Sequence, residues 1–389
     1  MKIKSLKLRQ TNIPFVLVFK HALKSRSEVD GLIVELETEN NIVGYGEALP
    51  REYVTGETTE SVTGHLINTI FPKMRGMEFN NIDDVLYFLD NFYDIFDSLT
   101  EYDLCVKAAT ELALLDAYGK ENKKSVLNLC SSACGLTPKN EIVYSGVVSA
   151  DTPIIVKQIL KQYQKTGITQ IKLKVGKDLE HDIKNIELSR EIIGKNVEIR
   201  ADANEAWDLA SAKKNLPILA EMGVVSIEQP MPKTSRDDYP KLMEFLRGKI
   251  EVCIDESLCS IGDAKWMIEN GGASLFNLRI SKNGGLSNAL KIFAMAKSNG
   301  IKCQLGAQVG ETSLLSSAGR ILAALCGNFL FHEGSFGTHL LSYDLTKNPL
   351  SFGSGGIGDL SYLNLTDSMG LGIKVEGKLL DKMTKKILE

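Results

Sequence analysis

"ITQIKLKV" (residues 168–175) sets Ile171, Leu173 and Val175 on one parity and Lys172 and Lys174 on the other. Side chains of an extended strand alternate faces, so the segment has an apolar face and a face carrying two ammonium groups. Three more apolar runs follow, each closed by a carboxylate: "IRADAN" with Asp202, "IEQP" with Glu228 and "CIDES" with Asp255. Stretches long enough for one helix separate them. Polar residues at the ends of strands that alternate with helices are the layout of a (β/α) barrel, whose site is assembled at the C-terminal strand ends.

The same alternation extends in both directions. Candidate strands are "EIVYSGVVS", "ITQIKLKV", "VEIRADA", "VVSIEQ", "EVCIDES", "LFNLRIS", "KCQLGA" and "FLFHEGS", a repeat of roughly 25 to 30 residues that matches one βα unit each. Before them, "MKIKSLKLRQTNI" alternates, and "GLIVELETENNIVGYGEAL" reads as a hairpin turning at Asn40–Asn41. A helical run then leads to about residue 130. The tail carries Gly-rich turns and "GLGIKV", a strand able to return to the N-terminal unit. The expected fold is α/β, a modified (β/α) TIM barrel over residues 131–340. An α+β capping domain would be made of residues 1–130 and the C-terminal segment 341–389.

Composition narrows the function. A net charge of −4 and a pI near 5.9 argue against nucleic acid, which needs a basic face. No apolar run reaches the roughly 18 residues of a membrane span. The N-terminus has no signal-peptide pattern, so a cytoplasmic protein is expected. Seven cysteines include no CxxC pair or His cluster, and are expected to be mostly reduced and buried.

Parity places the polar residues inward: Lys172 and Lys174; Glu198, Arg200 and Asp202; Ser226 and Glu228; Cys253 and Asp255; Asn277, Arg279 and Ser281. Lys282 falls on the outward parity, which makes Arg279 the expected cation of the sixth strand. Three acids at strand ends form a hard, oxygen-rich site suited to Mg²⁺. The alternative is that lysines and acids neutralise one another as structural pairs, because buried charges are costly alone.

An N-terminal capping domain followed by "KLKVG", "DAN", "EQP", "DES" and "SKNGG" in this order resembles, over nearly the whole chain, the enolase superfamily, in particular its muconate-lactonizing (muconate cycloisomerase, mandelate racemase-like) subgroup. The resemblance implies Asp202, Glu228 and Asp255 as Mg²⁺ ligands and Lys174 as the base or acid on one substrate face. Lys172 would support Lys174, and Asn204 and Glu256 would lie beside the ligands. Mg²⁺ on a substrate carboxylate stabilises the enediolate formed when the α-proton leaves. A cation beside the lysine favours its neutral form.

One departure bears on mechanism. Where the subgroup carries a second lysine in an "xKxxK" segment, this chain reads "LRISK", with Arg279. Arginine is hard to deprotonate, so one-base chemistry is the leading expectation: cycloisomerase-type isomerisation or syn elimination of a small-molecule carboxylate. Dipeptide or amino-acid epimerisation is the alternative, although the eighth strand lacks the Asp-x-Asp common in dipeptide epimerases and offers Glu333. Arg279 also keeps a non-catalytic, metal-stabilised barrel in play, while a Schiff-base, phosphate-cradling barrel fits the three acids poorly.

At the mouth, Gln308 and Glu311 lie in "GAQVGET". Two capping segments are expected to close over the site, residues 19–27 and residues 50–58. The second brings Arg51 and Tyr53 as substrate contacts and Gly56 as a hinge. A homo-oligomer is also expected, by the resemblance.

Overall fold

The computed structural model describes residues 1–20, 25–134, 141–148, 152–364 and 368–389. The N-terminal alternation forms an antiparallel sheet of β1 (Ile3–Lys20), β2 (Ser25–Thr38) and β3 (Val43–Ala48). The β2–β3 turn closes through Thr38 N to Ile42 O at 2.9 Å, with Asn41 at φ 57°, a left-handed conformation that asparagine tolerates better than most residues.

Helix α1 (Leu104–Glu121) lies on this sheet and is buried from Leu104 to Gly119. Two glycines of β3 permit the approach. A Cβ at Gly46 would meet the Ala109 carbonyl oxygen at 1.9 Å, and one at Gly44 would meet that of Ala113 at 2.2 Å. The helix is buried on all sides because sheet and barrel enclose it between them, and its polar residues such as Lys107, Glu111 and Asp116 find partners there.

The barrel sheet is parallel throughout and runs β5 (Gly146–Val148), β6 (Gln170–Lys174), β7 (Glu198–Asp202), β8 (Val224–Glu228), β9 (Glu251–Ile254), β10 (Leu275–Leu278), β11 (Lys302–Leu305) and β12 (Phe329–His332). The amide of Ser145 donates to the His332 carbonyl at 2.8 Å and links the first edge to the last. Apolar residues of outward parity, such as Ile171, Ile199 and Ile227, are fully buried under the surrounding helices.

The first candidate strand divides in two. β4 (Glu141–Val143) leaves the barrel to pair antiparallel with β13 (Ile357–Asp359), and the chain re-enters after buried Tyr144, whose amide bonds to the Gly356 carbonyl. The last strand, β14 (Thr384–Leu388), pairs antiparallel with β1, so the tail does return to the capping sheet. "GLGIKV" itself is not a strand. It runs through a bridge and turn that places the Gly370 carbonyl on the Val126 amide.

Capping domain and barrel hold each other through helix ends. Glu47 of β3 accepts from the Thr312 amide (3.0 Å), its hydroxyl (2.5 Å) and the Leu315 amide (3.1 Å) at the start of α3 (Ser313–Cys326). Glu111 of α1 accepts from the Ser287 amide at 2.7 Å at the start of α2 (Leu286–Ser298). First-turn amides have no partner within their own helix, and a carboxylate suits the positive helix end.

Burial nevertheless dominates at Glu47 and lifts its carboxyl from 4.5 to about 7, against the opposing hydrogen bonds from Thr312 and Leu315. The folded state therefore holds a proton that the unfolded chain releases over that window. The stability so contributed is full below pH 4.5 and is lost as pH rises through about 7. We expect Glu47→Gln to flatten this dependence, so that between about pH 4.5 and 8 the wild type loses up to roughly 3 kcal/mol relative to the variant in denaturant titrations. Parallel stability curves would overturn this assignment.

Candidate active site

In the parallel register, Lys174 stands opposite Asp202, Asp202 opposite Glu228, and Glu228 opposite Cys253. The strand ends thus bring their polar side chains to one level. Lys172 is wholly enclosed, its Nζ 2.8 Å from Glu333, 3.2 Å from Glu228 and 3.3 Å from Asp202. Burial alone would lower its pKa, but the three carboxylates outweigh it and hold the group charged, above its ordinary range. The converse holds for the acids. Burial raises Glu333 and Asp202, yet the neighbouring cations bring Glu333 down to about 2 and Asp202 below the usual carboxylate range.

Lys174 is less enclosed. Its Nζ donates to Asp202 Oδ2 at 2.5 Å and to Asn204 Oδ1 at 2.7 Å. Asn204 sits in the left-handed region at φ 43°, where its amide reaches Asp202 Oδ1 at 3.0 Å and its Nδ2 reaches Glu256 Oε1 at 3.3 Å. Such backbone strain persists only where surroundings fix it, and here it aims one side chain at both a lysine and a carboxylate.

Asp255 lies just past β9 and is gripped by two cations. Arg279 Nη2 contacts its Oδ2 and lies 3.5 Å from Glu228 Oε1, while Nη1 donates to Gln308 Oε1 at 3.1 Å. Lys282 Nζ donates to Asp255 Oδ1 (2.9 Å), the Asp255 carbonyl (2.8 Å) and the Asn277 carbonyl (2.9 Å). Strand parity points Lys282 outward, but β10 ends at Leu278 and the following turn carries the side chain inside. Its three donors are all used, and burial lowers its pKa to about 8.

Beneath the charges lies a polar layer in which the inward Arg200 and Asn277 are joined by Gln304 and Gln229, two residues that the sequence reading did not single out. Gln304 donates to Glu228 Oε2 (2.8 Å) and accepts from Arg200 (3.0 Å), and Asn277 donates to Glu228 Oε1 (3.2 Å). Gln229, at φ 39°, accepts from the amides of Asp255 (2.9 Å) and Ser257 (3.2 Å) and fixes that loop. The one available signal was inward parity of a polar residue in an apolar run, as in "KCQL".

The capping residues are anchored. Arg51 is buried and donates to the carbonyls of Pro50 (2.7 Å) and Val309 (3.3 Å), which ties the capping domain to the loop after β11. Tyr53 packs against Val54, Leu104 and Cys259. Gly56 has the left-handed φ of 81°, but Glu57 beside it accepts from the Cys105 amide at 2.9 Å, pinning the segment. Of the other expected closing segment, residues 21–24 lie outside the described residues.

The donor set suits a divalent cation: aspartates and glutamates on adjacent strand ends, with Glu256 Oε2 buried and without a hydrogen-bond partner among the described residues. Burial, then the charges of Asp202 and Glu228, raise Glu256 to about 7, the effect expected of acids crowded without a compensating ion. Among the described residues no three His, Cys, Asp or Glu side chains converge as metal ligands while the lysines and Arg279 are paired with them. Asp202, Glu228 and Asp255 could hold a metal if those cations yield.

Fold and site together define a capped (β/α) barrel with lysines and carboxylates at the C-terminal strand ends. The chain belongs to the enolase superfamily: the mandelate racemase / muconate lactonizing enzyme N-terminal domain matches residues 4–130, and the enolase C-terminal domain-like model matches residues 155–379. Among relatives, the chain is 31% identical to an N-succinyl-L-Arg/Lys racemase of Bacillus cereus, covering 99% of this chain and 98% of that one. The crystal structure of the Bacillus cereus N-succinyl Arg/Lys racemase superposes over the full length of both chains with a TM-score of 0.87 at 28% identity. A dipeptide epimerase from Enterococcus faecalis, complexed with Mg and L-Leu-L-Tyr, superposes with a TM-score of 0.83 at 26% identity, over 96% of this chain and all of that one. No described helix is long and apolar enough to cross a membrane.

Gln304 bridges Arg200 and Glu228, so Gln304→Leu leaves the buried Arg200 Nη1 donor unpaired and removes one of the two hydrogen bonds to Glu228 Oε2, Lys172 supplying the other. A loss of about 1–3 kcal/mol in urea unfolding is expected. A variant as stable as wild type would show that this bridge contributes nothing.

Proposed function

We propose that this protein is a Mg²⁺-dependent racemase or epimerase of a small carboxylate, of the N-acylated amino-acid or dipeptide class. The observation that carries the reading is the asymmetry of the lysine pair. Lys172 is locked and charged among three acids, whereas Lys174 sits at the accessible strand end. Its place at the strand end, where Asp202 and Asn204 hold its Nζ, suits Lys174 to meet the α-proton of a bound substrate. The racemase and epimerase relatives support inversion over ring closure, the reverse of the order of preference drawn from the sequence alone.

In this reading Asp202, Glu228 and Asp255 hold the metal, with Glu256 and Asn204 beside them. When bound, Mg²⁺ would polarise the substrate carboxylate and stabilise charge developing on its oxygens. Lys174 removes the proton from one face and Asn204 orients its amine. Arg279 faces the carboxylate from the sixth strand, held in place by Gln308. Glu333 keeps Lys172 charged.

Arg279 favours a second reading. Proton return to the opposite face needs an acid that gives up its proton, and a guanidinium does so reluctantly. Exchange with retention, or loss of water from a β-substituted substrate, needs Lys174 alone. A relative named o-succinylbenzoate synthase, 28% identical over 95% of this chain, keeps that chemistry in view.

The test is α-deuterium incorporation from D₂O into N-acylated amino acids and dipeptides, with and without Mg²⁺, followed by chiral separation. Incorporation with inversion supports the first reading, and incorporation with retention the second. Lys174→Ala should lower either by about 10²-fold or more, and chelation should abolish it. Full activity in Lys174→Ala would sink both readings. If Arg279 limits proton return, Arg279→Lys should raise the inverted fraction relative to total exchange.

A further inference from the structure

The acids of the barrel mouth differ in one respect. Asp202, Glu228, Asp255 and Glu333 each have a cationic side chain within 4 Å. Glu256, which lies beside the expected metal ligands, and Glu311, on the loop between β11 and α3, have no such partner among the described residues. The hydrogen bond of Glu311 is the one that Oε1 accepts from the Gln308 amide at 2.7 Å.

This carboxylate also stands where two adjoining cavities meet. One is lined by Ile280, Leu305 and Glu333, the other by Gln308, Phe336 and Leu340, and Glu311 lines both. Glu333 is bonded to Lys172 at 2.8 Å, so the first cavity abuts the lysine pair. Across it, Gly334 at φ 117° brings backbone close to Glu311; a Cβ there would lie 3.9 Å from Glu311 Oε2. The side chain is half-buried.

The local charges leave the group unsatisfied. Burial above all, with the charge of Glu47, lifts Glu311 to about 8, and the Gln308 amide and Arg279 oppose this only in part. An acid in this state gains most from an incoming positive charge, since both its desolvation and its proton uptake are relieved.

We propose that Glu311 receives a cationic group of the substrate, an ammonium or guanidinium, while the substrate carboxylate lies toward Lys174 and Arg279. This deepens the preceding reading and rests on it for the placement of the carboxylate. Two sources of the cation fit, a basic side chain or the free amino terminus of a dipeptide. The eighth strand offers no free carboxylate for either, because Glu333, just past its end, is paired with Lys172 and Arg200.

The test uses calorimetric binding to the full chain with Mg²⁺ and matched probes. N-acetyl-L-arginine is compared with N-acetyl-L-citrulline, and L-alanyl-L-alanine with its N-acetylated form. In at least one pair the cationic member should bind about 10-fold more tightly or better, and that pair identifies the source of the charge. Glu311→Gln keeps an acceptor for the Gln308 amide and should bring the two members to within about 2-fold, whereas Glu311→Asp should retain part of the preference. Equal affinities in the wild type, a preference that survives in Glu311→Gln, or no binding of either cationic probe at millimolar concentration would overturn the proposal. Deuterium exchange reads the other question. Exchange without any preference for cations would sink this inference and leave the α-proton chemistry standing.

Discussion

Everything at the mouth of this barrel depends on the enclosure of one ammonium group. Lys172 cannot be hydrated where it lies, and an isolated charge there would be untenable. It persists because Asp202, Glu228 and Glu333 surround it, and each of them is in turn held by a second group. Arg200 holds Glu333, Gln304 and Asn277 hold Glu228, and Lys174 with the Asn204 amide holds Asp202. Removing one member strands several others, so the network favours one arrangement over near alternatives. Buried pairs of this kind are poor contributors to net stability. What they supply is position.

Position explains why the backbone departs from its usual conformations here. Asn204, Gln229 and Ser335 all have positive φ at the ends of barrel strands or in the turns that follow. Each aims a side chain or an amide that a relaxed strand exit would turn away. Gly306 serves the same end by absence, since a Cβ there would lie 2.1 Å from Asn277 Oδ1. Stiff strands carry the acids, and strained exits set their final angle.

Much of this was legible in the sequence because barrels repeat. Inward parity located Lys172, Lys174, Asp202, Glu228 and Asp255, and the repeat length gave eight βα units. Parity failed where the strand stopped: beyond Leu278 the chain turns, and Lys282 enters the interior against the alternation. It failed again at Tyr144–Ser145, where one expected strand became two that pair in different sheets. Arg51, read as a substrate contact, donates to the carbonyls of Pro50 and Val309 at the domain junction. The last two depend on contacts between segments more than two hundred residues apart, and the first on a turn that brings Lys282 to Asp255 and the Asn277 carbonyl, none of which strand alternation encodes.

The helix ends shared across the domain junction have a further consequence. Glu47 and Glu111 belong to the cap, yet they complete helices of the barrel that follow its seventh and sixth strands. A barrel separated from its cap would expose those amides, and a cap borrowed from another member of the superfamily would need acids in both places. The junction is therefore a poor point for recombination. Changes in specificity that come through the cap must accumulate residue by residue within it, because exchanging the whole cap would unfasten the loops that carry the mouth.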